Sequence, residues 1–174
     1  SSQTIDADVR HLLKQGLSVF EVDPDALAAA RPDIVLTQTQ CEVCAVSPGD
    51  IEAALAQWTG RRPALVSLQP GTLSDLWQDI MRVAGALKAV PQGHKLLEEV
   101  KRRVDRTAGH NLGLTQSPKV ACIEWIDPLM AAGNWIPELV EAAGGRDVLG
   151  KAGEHSPWLS WESSTAADPD IIVV

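Results

Sequence analysis

Tyrosine is absent from this chain of 174 residues, and phenylalanine occurs once. Six tryptophans supply nearly all of an aromatic content of only 4%. Cysteine is scarce as well: Cys41, Cys44 and Cys122 are an odd number and too few for a disulfide framework. No apolar run approaches the roughly 20 residues that cross a bilayer as a helix, and the strongest, Ile171-Ile172-Val173-Val174, is far too short. Positive charge is the minority sign, with 15 Lys and Arg against 23 Asp and Glu and a net charge of −8. That argues against a nucleic-acid-binding domain, which presents a basic face to phosphates. No G-x-S-x-G, Walker loop, G-x-G-x-x-G or H-E-x-x-H occurs. What is present, 45% apolar and 22% charged residues, is the composition of an ordinary globular protein with enough length to bury a core.

The opening Ser1-Ser2-Gln3-Thr4 has no initiator Met and no basic or apolar signal region, and the close falls inside what reads as a buried strand. Both ends are therefore expected to be cuts in a longer chain. Between them helix and strand signals alternate. Thr4-Ile5-Asp6 opens a helix closed by Gly16, and a strand follows over 17–22. Asp23-Pro24 caps and starts a second helix, and Arg31-Pro32-Asp33 ends it before a strand at 34–36, apolar enough to be covered on both faces. Ser47-Pro48 starts another helix through Ile51, Leu55 and Trp58; 64–68 reads as strand. The capping box Thr72–Asp75 opens an amphipathic helix to Leu87. From Pro91 a helix of about 18 residues sets Leu96, Leu97, Val100 and Val104 against a basic, solvated face. Beyond a loop at 109–117 come a strand at 119–123, a helix at 135–143, a strand at 147–149, a helix at 160–166 and a strand at 171–174. This order predicts parallel α/β architecture.

One internal echo bears on organisation. Ala30-Arg31-Pro32-Asp33-Ile34-Val35-Leu36 matches Ala167-Asp168-Pro169-Asp170-Ile171-Ile172-Val173 in frame. Each copy is a helix end, a Pro breaker and a strand, and they lie on opposite sides of the Pro91 helix. Such junctions are common in α/β proteins; their placement here suggests two similarly built lobes joined by one helix, with a cleft between them.

In parallel sheets ligands meet the loops that leave the carboxyl ends of strands. Three such loops are rich in polar and aromatic groups: Gln38, Gln40 and Cys41 after the 34–36 strand, Glu124, Trp125, Asp127, Asn134 and Trp135 after the 119–123 strand, and His155, Trp158 and Trp161 after Val148. Indoles at such positions suit a large planar ligand, whereas Trp58 and Trp77 continue apolar helix stripes and read as packing. Core packing remains the competing reading, most evenly for Trp125 and Trp161. Cys41-x-x-Cys44 supplies two of the four ligands of a tetrahedral zinc site, which His155, Glu124 or Cys122 would have to complete. It also admits a redox reading, or none at all. Glu124 and Asp127 are not fixed as a catalytic pair, and His11, His94 and His110 read as solvated.

Together, Arg31-Pro32-Asp33-Ile34-Val35-Leu36, the long central helix, Cys122-Ile123-Glu124-Trp125, Asn134-Trp135-Ile136-Pro137-Glu138-Leu139, Ala143-Gly144-Gly145 and Asp168-Pro169-Asp170-Ile171-Ile172-Val173-Val174 resemble the helical-backbone (class III) periplasmic substrate-binding proteins of ABC importers. The likeness runs from about Asp6 and is greatest to the cobalamin-binding branch, Cys-x-x-Cys variants included. It implies two α/β lobes bridged by a single helix: an amino-terminal lobe over 1–90, a connecting helix over 91–110 and a carboxyl-terminal lobe over 117–174. A shallow cleft with little hinge motion would hold a corrinoid, haem or ferric chelate. Trp158 falls at the cleft tryptophan and Glu162 at the carboxyl-lobe acid that docks on the permease; Glu42, Asp50 and Glu52 are candidates for the other docking acid. Family members begin with a further strand and helix and continue past Val174. The expectation is a non-enzymatic binding component of an importer, periplasmic or extracytoplasmic by resemblance, with ligand contacts at Gln38, Gln40, Cys41, Trp125, Asn134, Trp135, His155 and Trp158, and a homodimer through a truncated sheet edge. The alternatives are a cytoplasmic metal- or redox-active protein using Cys41 and Cys44, with zinc as the metal, and an interaction module that keeps the fold without the ligand.

Overall fold

The computed structural model of the chain describes residues 1–14, 22–39, 49, 51, 55, 62–110 and 116–174. Among these the strands form two sheets, one before and one after the helix Val90–His110. In the first, β1 (Ile34–Gln38) and β2 (Ala64–Leu68) run parallel, with Leu36 opposite Val66. In the second, β3 (Lys119–Trp125) is the hub. It pairs in parallel with β5 (Arg146–Asp147) and β6 (Ile171–Val173), and antiparallel with β4 (Met130–Ala131). The carbonyls of Pro118, Val120 and Cys122 accept from Arg146, Val148 and Ala132, so these partners share one edge of β3. The carbonyl of Lys119 accepts from Asp170 on the other edge. The result is the expected mixed α/β chain with small parallel sheets, to which β4 adds one antiparallel partner that sequence patterning did not signal.

Among the described residues six named helices surround the sheets: α1 (Ser2–Lys14), α2 (Pro24–Ala30), α3 (Leu73–Ala86), α4 (Val90–His110), α5 (Ile136–Ala142) and α6 (Trp161–Ala166). Their starts follow from local chemistry. Asp23 accepts from the amides of Asp25 and Ala26 at 3.0 and 2.9 Å, ahead of Pro24 at the first helical position. Ser160 accepts from the amide of Ser163 at 3.1 Å. The first helix begins earlier than expected, at Ser2, because the hydroxyl of Ser1 rather than that of Thr4 meets the first turn. Helix α4 packs on both α3 and α5. At the α3–α4 crossing Gly93 is buried, and a β-carbon there would run into the side chain of Ala84. Leu97, Val100 and Val104 of α4 are half-buried as the stripe requires, but Leu96 is half-exposed. Near α4, the Lys101 ammonium lies 6.0 Å from the ring centre of Trp77.

The carboxyl-terminal core is Val120, Cys122, Ala132 and Val140, with Ile136 packed against it. Two strands are less covered than their apolar sequences suggested. Leu36 is 49% exposed, and Ile171, Ile172 and Val173 are 47%, 62% and 50% exposed, because β6 meets a neighbour only through β3 among the described residues. The expected strand at 147–149 is shorter and starts at Arg146, since Asp147 turns the chain by accepting from the amides of Leu149 and Gly150 at 2.9 and 2.7 Å. The expected strand at 17–22 lies outside the described residues except for Val22. So does most of the Ser47 helix, although Ile51 and Leu55 are helical and buried, one turn apart as the stripe requires.

The capping box of α3 is complete. Thr72 Oγ1 accepts from the Asp75 amide at 3.2 Å, and Asp75 Oδ2 accepts from the Thr72 amide and hydroxyl, each at 2.8 Å. The Thr72 hydroxyl is the main cause that holds the Asp75 carboxyl below its ordinary value of 3.8, followed by the amides of Thr72 and Gly71. A depressed carboxylate contributes stability that is complete above its unfolded pKa and disappears as pH falls through the folded one. Thr72→Ala is therefore expected to cost about 1 kcal/mol in urea denaturation at neutral pH. It should also flatten the loss of stability below pH 3.8; an unchanged acid limb would refute this account.

Candidate ligand-binding site

At its carboxyl end β3 passes from buried to open. Ala121 is fully buried and Cys122 nearly so, whereas Glu124 is exposed and Trp125 half-buried. Burial pushes the Cys122 thiol up, and the nearby Asp147 charge adds to this. Trp125 donates its Nε1–H to the carbonyl of Asp127 at 3.1 Å, which orients the ring over the turn into β4. Met130 is paired with Trp125 across that turn and with Trp158 on its other side. The register shifts between Ile123 and Trp125, and backbone pairing across the shift sets Trp125, Met130 and Trp158 in a row along neighbouring segments, with Trp158 55% exposed.

The 150–158 segment is pinned to this row. The amide of Asn134 donates to the carbonyl of Glu154 at 2.7 Å, and that of Gly153 to Asn134 at 3.0 Å. Ala131 donates to Pro157 at 3.1 Å, and Leu159 to Leu129 at 2.9 Å. Buried Ser156 accepts from the Gly133 amide at 3.1 Å and donates to Glu124 Oε2 at 2.6 Å. Glycine is required at this seam: a β-carbon on Gly133 would lie 2.6 Å from the carbonyl oxygen of Glu154 and 2.8 Å from the Ser156 amide nitrogen. Asn134 adopts a left-handed φ of 55°, which asparagine tolerates better than most residues.

The expected carboxyl-terminal ligand residues accordingly fall in one region. Trp125 and Trp158 share the row, Asn134 is bonded to the segment that carries exposed His155, and Trp135 is half-buried at the N-cap of α5. Gln38 is exposed at the end of β1. Gln40, Cys41 and Cys44 lie outside the described residues, and with them the expected zinc pair. Among the described residues no group of three His, Cys, Asp or Glu is placed to hold a metal, and Cys122 belongs to the core. Trp161 is 56% exposed on α6.

Two features were not anticipated. Arg10 of α1, tied through Nε–H to Asp6 Oδ2 at 2.7 Å, places its guanidinium 5.6 Å from the ring centre of Trp158. No pattern in α1 points to a residue so far away in the chain. The second is an open polar pocket of about 440 Å³, bounded by Thr39, Gln69, Asp75, Gln78, Asp79 and Arg82. Thr39 and Gln69 follow β1 and β2, which strand-end reasoning could have found. Arg82 pairs with buried Asp79 at 2.5 Å and also reaches the carbonyl of Ser67 at 3.4 Å.

The sequence matches the family of periplasmic binding proteins over residues 6–174. The chain belongs to that family. Solved structures with the same fold include the periplasmic heme-binding protein RhuT of Roseiflexus, with a TM-score of 0.67 at 22% identity, covering 87% of this chain and 57% of that one. The vitamin B12 binding protein BtuF of Vibrio cholerae gives a TM-score of 0.60 at 16% identity, covering 85% and 55%. A possible iron-binding periplasmic solute-binding protein of Staphylococcus epidermidis gives 0.68 at 15% identity, covering 87% and 58%. The chain thus spans somewhat more than half the length of these structures. No curated protein matches it. Members of the family are binding proteins.

Proposed function

We propose that this protein captures a large planar ligand, cobalamin in the first place and haem or a ferric chelate by the same chemistry, in a cleft between two lobes, and presents it to an ABC permease outside the cytoplasm. The lobes would be residues 1–90 and 117–174, with 91–110 connecting them. The observation that carries the reading is the row Trp125–Met130–Trp158, whose outer indole is more than half exposed at the carboxyl end of β3. An exposed indole fixed by backbone pairing offers a flat apolar face at little entropic cost. Asn134, Trp135 and His155 border it on the same half, while Gln38, Gln40 and Cys41 would close the other wall. That solved relatives include heme- and vitamin B12-binding proteins supports the ligand class.

Titration of intrinsic fluorescence with cyanocobalamin, haemin and zinc in parallel tests this. Saturable quenching by cyanocobalamin or haemin is expected, weakened about tenfold in Trp158→Ala, in line with the roughly 1–3 kcal/mol of a stacked aromatic contact. No response to either macrocycle, together with stoichiometric zinc lost in Cys41→Ser, would replace the reading with a metal protein.

Glu162 is proposed as a docking acid. It is exposed in the first turn of α6, where its own amide and the Ser160 hydroxyl hold its carboxyl below the ordinary glutamate value. Glu162→Gln should weaken association with permease-containing proteoliposomes without changing ligand affinity; equal association would remove Glu162 from the interface. The exposed apolar strand β6 (Ile171–Val173) is proposed to pair with a second copy. Sedimentation velocity should then show a concentration-dependent dimer, and a monomer at every concentration would rule it out.

A further inference from the structure

The amino end of α3 is served mostly from its own sequence. Asp75 Oδ2 accepts from the amides of Gly71 and Thr72 at 3.1 and 2.8 Å, and Thr72 Oγ1 accepts from that of Asp75. Leu73, the first residue of the helix, is different: its N–H donates to Glu138 Oε2 at 2.7 Å, across 65 residues of sequence. Glu138 stands in the first turn of α5, so one carboxylate sits at the amino ends of two helices from opposite sides of α4. Both macrodipoles favour a negative charge there, and a charge-assisted bond of this length is among the stronger kinds. The two halves meet again beside it. A β-carbon on Gly71 would lie 3.7 Å from the carbonyl oxygen of Gly153, and one on Gly153 would lie 3.4 Å from Thr72 Cγ2. Gly153 belongs to the segment that carries His155 and Trp158, and the 71–73 turn follows the carboxyl end of β2.

We propose that Glu138 is the positioning residue of the cleft: its carboxylate latches the amino end of α3 to the carboxyl-terminal half and fixes the spacing of the two walls before ligand arrives. Helices α3 and α5 both pack on α4. Two helices on a common third can still swing about it, and a bond between their ends removes that freedom. The geometric part stands by itself; the consequence for ligand rests on the capture function proposed above. When only a fraction of molecules holds the competent spacing, apparent affinity falls by that fraction.

The test compares Glu138→Ala, Glu138→Gln and Leu73→Pro by NMR and by titration with cyanocobalamin and haemin. Proline is suited to the first helical position, and Thr72 before it is extended (φ −126°, ψ 168°), so Leu73→Pro removes the donor without opposing the helix. In Glu138→Ala the Leu73 amide is expected to exchange about tenfold faster or more, as loss of a bond to a charged acceptor implies, with most protection restored in Glu138→Gln. Residual dipolar couplings of the two sheets should fit one alignment frame in the native protein and two in Glu138→Ala and in Leu73→Pro. Affinity for whichever macrocycle binds should fall in both single variants, with little further loss in the double variant. Unchanged exchange in Glu138→Ala would remove the bond. Faster exchange with a single alignment frame would reduce Glu138 to a local cap and overturn the positioning role. If the native protein binds neither macrocycle, the capture function fails, while exchange and couplings still decide the latch.

Discussion

The burial of β3 is the constraint on which the other features depend. Its central residues, Val120, Ala121 and Cys122, are all buried, and both of its edges are occupied over this stretch. Ala121 and Ala131 are completely covered, as close-packed interior positions are. With β5 and β4 on one edge and β6 on the other, the turns that leave these strands have few places to go. They converge at the carboxyl end of β3, where the two indoles and Met130 lie side by side. Loops held this way gain precision: they are bonded to one another through backbone groups and through the buried Ser156 hydroxyl.

The central helix has a related part. Close contact of α3 with α4 at Gly93 and Ala84, and of α5 with the same helix, joins the halves through packed backbone where a hinged protein would have a flexible linker. Preformed walls reduce the ordering that binding would otherwise demand, at the cost of tolerance for ligands of different size. Arg10 over Trp158 brings α1 to the same place, so three segments distant in sequence meet around one indole or its neighbours.

Features set by neighbouring residues are legible in the sequence alone. Asp23-Pro24, the Thr72–Asp75 box and Ser160 start helices as their chemistry dictates, and the alternation of elements points to the α/β class. The order of modest motifs points to the family. Features that depend on what lies alongside are not legible. An apolar strand reads as buried whether or not a neighbour covers it, so the exposure of Leu36 and of 171–173 leaves no trace in the pattern. Two-residue β4 leaves no periodicity to detect. The sequence favours a ligand-facing reading for Trp158, in a loop after a strand, and leaves Trp125 even between ligand and core; the residue paired with both, Met130, carries no signal, since register across a turn is a tertiary property. The bond of Glu138 to Leu73 is likewise invisible in a pattern of helical caps.

The burial of Cys122 has a consequence for reactivity. Its thiol is covered by the core and held in the protonated form, and only the thiolate attacks disulfides, peroxides or alkylating agents. In the folded protein burial and the raised pKa both slow its reaction. Separation of β3 from its neighbours exposes it, so the rate at which Cys122 is modified reports on the opening of that sheet.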